Sequence, residues 1–156
     1  MLMSRKSLGL ELSASGFSFA LASGGKTPTV EAGVTVPIAP GLLTLSRRDP
    51  NVTDGKAFVA ALKEAHLRLL TKERSVSVSL PDAVGRVVLL DLEARFKNRD
   101  EGLDVIRWKL KKSLPFDISA VHLDYQTLEE KENGAVSLLV SLISRPVVQQ
   151  YEELLV

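Results

Sequence analysis

Leu8, Leu10 and Leu12 alternate with Gly9, Glu11 and Ser13, the two-residue period of a strand that buries one face. Ser15 and Gly16 supply a turn, and Phe17, Phe19 and Leu21 repeat the alternation as a second strand. The glycine pair at 24–25 predicts another turn and a third strand over 29–36, so the chain opens as an antiparallel meander. Residues 37–51, rich in proline and polar side chains, predict a loop. Thr53 or Asp54 can then cap a helix, along which Phe58, Ala61, Leu62, Ala65 and Leu69 recur on one face while Lys56, Lys63, Glu64 and Arg68 meet water. Residues 75–80 alternate again as a strand, which Pro81 and Asp82 end.

The pattern restarts at 84–92 with a β-branched, apolar run that predicts the first strand of a second unit. Asn98 or Asp100 can cap the next helix, expected to run to about Ser113 with Leu103, Ile106, Leu110 and Leu114 as its buried stripe and Trp108 at one edge. Pro115 ends that helix, because proline disfavours helical geometry in the residue before it. Strands over 121–128 and 135–144 follow, joined by a polar hairpin that closes on Asn133 and Gly134. Pro146 suits the first turn of a last helix, where its missing amide is not needed, with Val147, Val148, Tyr151, Leu154 and Leu155 on the apolar side. That helix reaches Val156 without a capping glycine or asparagine, so the chain is expected to be part of a longer protein. The reading is an α/β chain of α+β character with units over 1–82 and 83–144 and a helix over 145–156.

Composition narrows the function classes. Apolar residues make up 45% of the chain and charged ones 25%, a mixture that folds. Twenty basic residues against 19 acidic ones leave no global field to draw in nucleic acid or an anionic membrane. The absence of cysteine removes disulfides, thiolate catalysis and cysteine-ligated zinc. Residues 1–6 lead into alternation, not a signal-peptide core, and no apolar run nears the roughly 20 residues a membrane helix needs. A soluble cytoplasmic protein is expected.

Candidate catalytic groups are sparse. His66 and His122 are the only histidines, and neither lies in a metal-ligand spacing or a nucleophile elbow. His66 is expected to border a helix face and His122 to sit at a strand start near Asp124. Gly24, Gly25, Lys26 and Thr27 lack the leading glycine spacing and the following helix of a phosphate loop, so they read as a turn. Two basic clusters stand out: Arg95, Lys97 and Arg99, then Arg107, Lys109, Lys111 and Lys112. With Asp100, Glu101 and Asp104 at the helix start, they read as the solvated face of a helix whose charges suit its dipole.

One segment is distinctive: a helix bearing Trp108, a Pro115-Phe116 turn, then a strand carrying Asp124, Tyr125 and Gln126, and a hairpin strand feeding the helix at 147–151. This order resembles the inserted strand-helix-strand-strand subdomain of the actin-like cell-division protein FtsA and, more closely, of the type IV pilus assembly protein PilM. Leu8 to Leu12 resemble the start of the actin-like fold in PilM, and Val78 to Pro81 the strand end before its inserted subdomain. The resemblance implies the first half of that family: part of an actin-like, ribonuclease H-like core over 1–82, the inserted subdomain over 83–144, and a helix returning to the core over 145–156.

In actin-like ATPases an aspartate in the first hairpin holds hydrated magnesium, and a glycine two residues on lets the backbone approach the phosphates. The matching positions here are Glu11 and Ser13. The longer acid and the loss of glycine weaken that site, and the rest of the nucleotide pocket belongs to the family's other half. No cofactor is therefore expected for this chain, with ATP and magnesium left to a longer protein, and Glu11 is read as a solvent-facing strand residue. PilM-like proteins are understood to bind the cytoplasmic tail of the membrane protein PilN, which implies a non-catalytic scaffold of the pilus assembly platform, attached to the inner membrane through partners. Candidates for the tail contact are Trp108, Leu114, Pro115, Phe116 and Tyr125. The alternatives are an ATP-binding actin-like protein completed elsewhere, a type II secretion platform component, and an unrelated module that self-associates by a strand edge.

Overall fold

The computed structural model describes residues 6–93, 95–114 and 117–155. Contacts divide the chain into two compact units: the first takes the chain up to Ser46, then Pro50–Asp82 and the segment from Gln150 onward, and the second takes Arg47–Asp49 and Ala83–Gln149.

In the first unit β1 (Ser7–Ser13), β2 (Gly16–Ala22), β3 (Val30–Pro37) and β4 (Val76–Ser79) form a sheet of order β3-β2-β1-β4. The meander is antiparallel, and β4 joins β1 in parallel. The register sets Leu8 opposite Leu21, Leu10 opposite Phe19 and Leu12 opposite Phe17, so all six side chains share one face. All six are buried, each gaining roughly 1.5–3 kcal/mol from leaving water. Helix α1 (Gly55–Leu67) packs on that face: Phe58 meets Phe17 edge to face at 5.2 Å, and His66 meets Phe19 at 5.9 Å. Asp54 caps α1 by accepting from the Ala57 amide at 3.0 Å. Gly16 has to be glycine, since a Cβ there would lie 2.5 Å from the carbonyl oxygen of Val36 on β3.

The segment expected as a loop over 37–51 carries more structure than its polarity suggests. Leu42 and Leu43 are buried, and Leu43 bridges Val52. The Gln150 side chain acts as a surrogate strand for the backbone at 51–52: its Oε1 accepts from the amides of Asn51 (2.6 Å) and Val52 (2.8 Å), and its Nε2 donates to the Val52 carbonyl at 2.8 Å. Asn51 is fully buried, donates to the Ser46 carbonyl at 2.9 Å and accepts from the Tyr151 hydroxyl at 3.3 Å. Tyr151 packs near Phe58, and burial pushes its phenol up to about 12.

In the second unit β5 (Gly85–Leu92), β6 (Val121–Glu130) and β7 (Val136–Ser144) make an antiparallel sheet of order β5-β7-β6. Helix α2 (Arg99–Lys111) supplies Ile106 and Leu110 to a core with Leu92, Ile118, Val121, Val136, Leu138, Val140 and Leu142. Asn98 caps α2 by accepting from the Glu101 amide, and Glu101 reaches back to accept from the Lys97 amide at 2.6 Å, a reciprocal arrangement akin to a capping box. Short 3-10 turns, Asp82–Val84 and Ile118–Ala120, lead into β5 and β6. Beyond Thr127 the β6 register shifts, which leaves Leu128 exposed.

Helix α3 (Arg145–Leu155) follows β7. Val147 and Tyr151 are its buried positions, with Val148, Leu154 and Leu155 half-buried, the face expected from the sequence.

Candidate functional site

The hairpin joining β1 to β2 carries Glu11 and Ser13, the positions that the resemblance to actin-like ATPases matches to a phosphate loop. Glu11 is exposed on β1 opposite Ser18. Ser13 pairs with Gly16 across the turn, and its Oγ accepts from the Gly16 amide at 3.1 Å and from the Ser15 amide at 3.4 Å. The turn amides that a phosphate loop would turn towards an anion thus already have an acceptor in the chain's own hydroxyl.

Of the residues expected to touch a partner, the structure describes three, and it gives them different roles; Pro115 and Phe116 lie outside the described residues. Trp108 is 69% exposed, on the side of α2 away from Ile106 and Leu110, with the Lys112 ammonium 5.7 Å from its ring centroid. Leu114 is half-buried against the core of the second unit. Tyr125 is half-buried too: Phe96 meets it edge to face at 5.7 Å, and the Arg99 guanidinium sits 5.2 Å from its centroid. Its hydroxyl lies over Gly102, where a Cβ would stand 2.3 Å from that oxygen. That contact covers Gly102, which is buried on α2; Leu103, expected in the stripe, is half-buried.

His66 Nε2 lies 3.1 Å from the Glu73 carbonyl, and His122 is exposed at the start of β6. No group of acidic and histidine side chains suited to a metal ion occurs among the described residues. The basic clusters are largely paired within the second unit: Arg95 with Glu130, Arg99 with Asp124, Arg107 with Asp104, and Lys109 with the Asp91 carbonyl. None of the described helices is long and apolar enough to cross a membrane.

A pocket of about 350 Å³ opens in the second unit, at the end of its sheet where β5 and β6 begin and β7 finishes. Its apolar lining comes from Val84, Val121, Leu142, Ile143 and Pro146. Arg47, Arg48 and Arg86 bring three cations, and Asp117 one carboxylate. Arg47 is positioned by its Nε, which donates to the Ala83 carbonyl at 3.3 Å, and the Arg48 carbonyl accepts from Ser144 Oγ at 3.2 Å. Arg86 is exposed opposite Leu142, with no ion pair among the described residues. Asp117 spends both oxygens on Ser119, whose hydroxyl (2.7 Å) and amide (2.9 Å) hold its carboxyl below the usual carboxylate range. Sequence reasoning missed this site: four stretches, near residues 47, 85, 120 and 144, each look ordinary, and only the sheet brings them to one place.

The fold defines a class before it suggests a role: a mixed α/β chain that carries part of the actin-like fold of PilM. Among solved structures, a chain of a PilM-PilN type IV pilus biogenesis complex aligns with a TM-score of 0.81 at 25% identity, over 96% of this chain and 43% of that one. The cytoplasmic domain of EpsL, an inner membrane component of the type II secretion system of Vibrio cholerae, aligns with a TM-score of 0.54 at 14% identity, over 97% of this chain and 52% of that one. At that identity the second likeness shows the fold alone. This chain therefore spans about half the length, or less, of both. No protein-family model matches the chain, and no curated protein does.

Proposed function

We propose that this protein is a component of a type IV pilus or type II secretion assembly platform, a non-catalytic scaffold that holds the cytoplasmic tail of a PilN-like membrane protein. The observation that carries this reading is the match over 96% of the chain to a chain from a PilM-PilN complex. The pocket of the second unit supplies a seat, because its lining joins an apolar floor to guanidinium groups that an extended segment can reach. β5 is an edge strand of its sheet, so its outward main-chain groups suit the hydrogen bonds by which an extended peptide adds to a sheet. The closed turn at Ser13 favours a scaffold over a nucleotide enzyme.

The test is titration of the whole 156-residue chain with a fluorescein-labelled peptide covering the tail of the PilN-like protein from the same organism, read by anisotropy. Saturable binding in the micromolar range is expected. No saturation at high micromolar protein sinks the scaffold reading. A parallel calorimetric titration with magnesium ATP is expected to give no binding heat, and a saturable heat would favour the actin-like ATP-binding alternative.

A further inference from the structure

We infer that the outer face of α2 is a membrane-surface contact, docking on anionic phospholipid headgroups through Trp108 and the lysines around it. The contact is separate from the tail and needs no partner protein. At about 3.6 residues per turn Trp108 lies halfway round α2 from Ile106 and Leu110, the residues that the helix gives to its core. The core makes no use of this ring: it is 69% exposed, and it is the only tryptophan of the chain. Val105, one turn before it, is exposed too, and Lys112, one turn after, holds its ammonium 5.7 Å from the ring centroid. The three form a line down the helix, with Lys109 and Lys111 exposed on its flanks. The helix dipole accounts for cations at this end, but not for a tryptophan among them.

The chain as a whole is nearly neutral, so the attraction is local. The acids of α2, Asp100, Glu101 and Asp104, all lie in its first half, whereas Arg107, Lys109, Lys111 and Lys112 follow with no acid between them. Two of these four cations are answered from nearby. Asp104 faces Arg107 at 3.9 Å, and Asp117, kept ionised first by its Ser119 hydrogen bonds, also feels the Lys111 ammonium. Lys109 donates to the main-chain carbonyl of Asp91, whose carboxylate faces Lys131, and Lys112 has no ion pair among the described residues. Lys109 and Lys112 thus keep their charge beside an exposed indole. A lipid surface is the occupant this suits. Neither Trp108 nor Lys112 lines the pocket of this unit, and a convex helix face offers an extended peptide neither a groove nor a strand edge. An indole, with an apolar body and a polar N–H, seats at the headgroup level. Lysine stems there cover apolar surface while their ammonium groups reach phosphate.

The experiment mixes the full chain, without any tail peptide, with vesicles of phosphatidylglycerol and phosphatidylcholine in equal parts, and in parallel with vesicles of phosphatidylcholine alone. Trp108 emission is the readout, since no other tryptophan contributes. A blue shift that saturates with the mixed vesicles, and quenching by brominated acyl chains, are expected, with little of either from phosphatidylcholine alone. Lys109→Gln combined with Lys112→Gln is expected to weaken binding on the order of tenfold, and NaCl at about 0.5 M to remove most of it. Trp108→Ala, followed by co-sedimentation, is expected to lose roughly tenfold as well. Lys26→Ala, exposed in the first unit, is the charge control and is expected to bind as the native chain does. Circular dichroism of each variant separates lost binding from lost fold. No shift with the mixed vesicles, or sedimentation that ignores both α2 changes, overturns the inference. So does an equal shift with poly-L-glutamate, which assigns the face to an acidic protein. Each of these results leaves the scaffold reading as it stands, because no tail is present.

Discussion

The β1–β2 hairpin of the first unit and the pocket of the second both lie at strand ends, yet they treat polar groups in opposite ways. At the hairpin the amides of Ser15 and Gly16 are satisfied by the Ser13 hydroxyl. The same economy holds elsewhere in that unit, where Gln150 consumes the backbone groups at 51–52 and Asn51 consumes Tyr151. In the pocket Arg86 is left without an ion pair among the described residues, and the Asp117 carboxylate accepts from the amide and the hydroxyl of Ser119. A group already satisfied contributes to folding and has little left for a ligand, whereas an unmatched charge does the reverse.

The sharpest way to break this comparison is Asn51→Leu. It takes the acceptor away from the buried Tyr151 hydroxyl, so a loss of about 3 kcal/mol in urea unfolding is expected. An unchanged midpoint would mean that the network contributes nothing. Tyr151 gives the next effect, through pH. The folded state keeps the phenolic proton up to about pH 12, while the unfolded chain releases it near 10. Stability from this group is complete below pH 10 and declines as pH rises to 12, by about 2 kcal/mol. The decline should be absent from Tyr151→Phe, and a decline that persists in that variant would assign it to other groups.

Ser13→Ala frees the turn amides and is expected to cost about 1 kcal/mol, measured by thermal unfolding. A stabilised variant would show that the hydroxyl does not close the turn. Smallest of all, Arg86→Ala is expected to leave stability within about 0.5 kcal/mol of the native chain. A large stability loss there would make Arg86 a structural residue and erase the contrast between the two regions.

Much of the fold was legible in the pattern of side chains. Leu8, Leu10 and Leu12, with Phe17, Phe19 and Leu21, alternate because one face of a meander is buried, and their register pairs them as the alternation requires. Asp54 and Asn98 are caps by virtue of short acceptor side chains just ahead of apolar periodicity, and both are used so. The stripe of α2 was legible only in part. Ile106 and Leu110 are buried as expected, but Tyr125 covers Gly102, which the pattern did not mark, and Leu103 is only half-buried. Trp108 drew attention as a rare residue type, and its surroundings proved to be solvent and Lys112.

What the sequence determined by itself is whatever depends on neighbours a few residues apart: strand alternation and helix caps. Tertiary structure decided the rest. The clamp of Gln150 on residues 51–52 joins positions about 98 apart in the chain. The pocket gathers residues from near 47, 85, 120 and 144. Neither has a local signature, because side-chain chemistry is written in sequence order while the partners of a buried amide or an unmatched charge are set by which strands the fold places side by side.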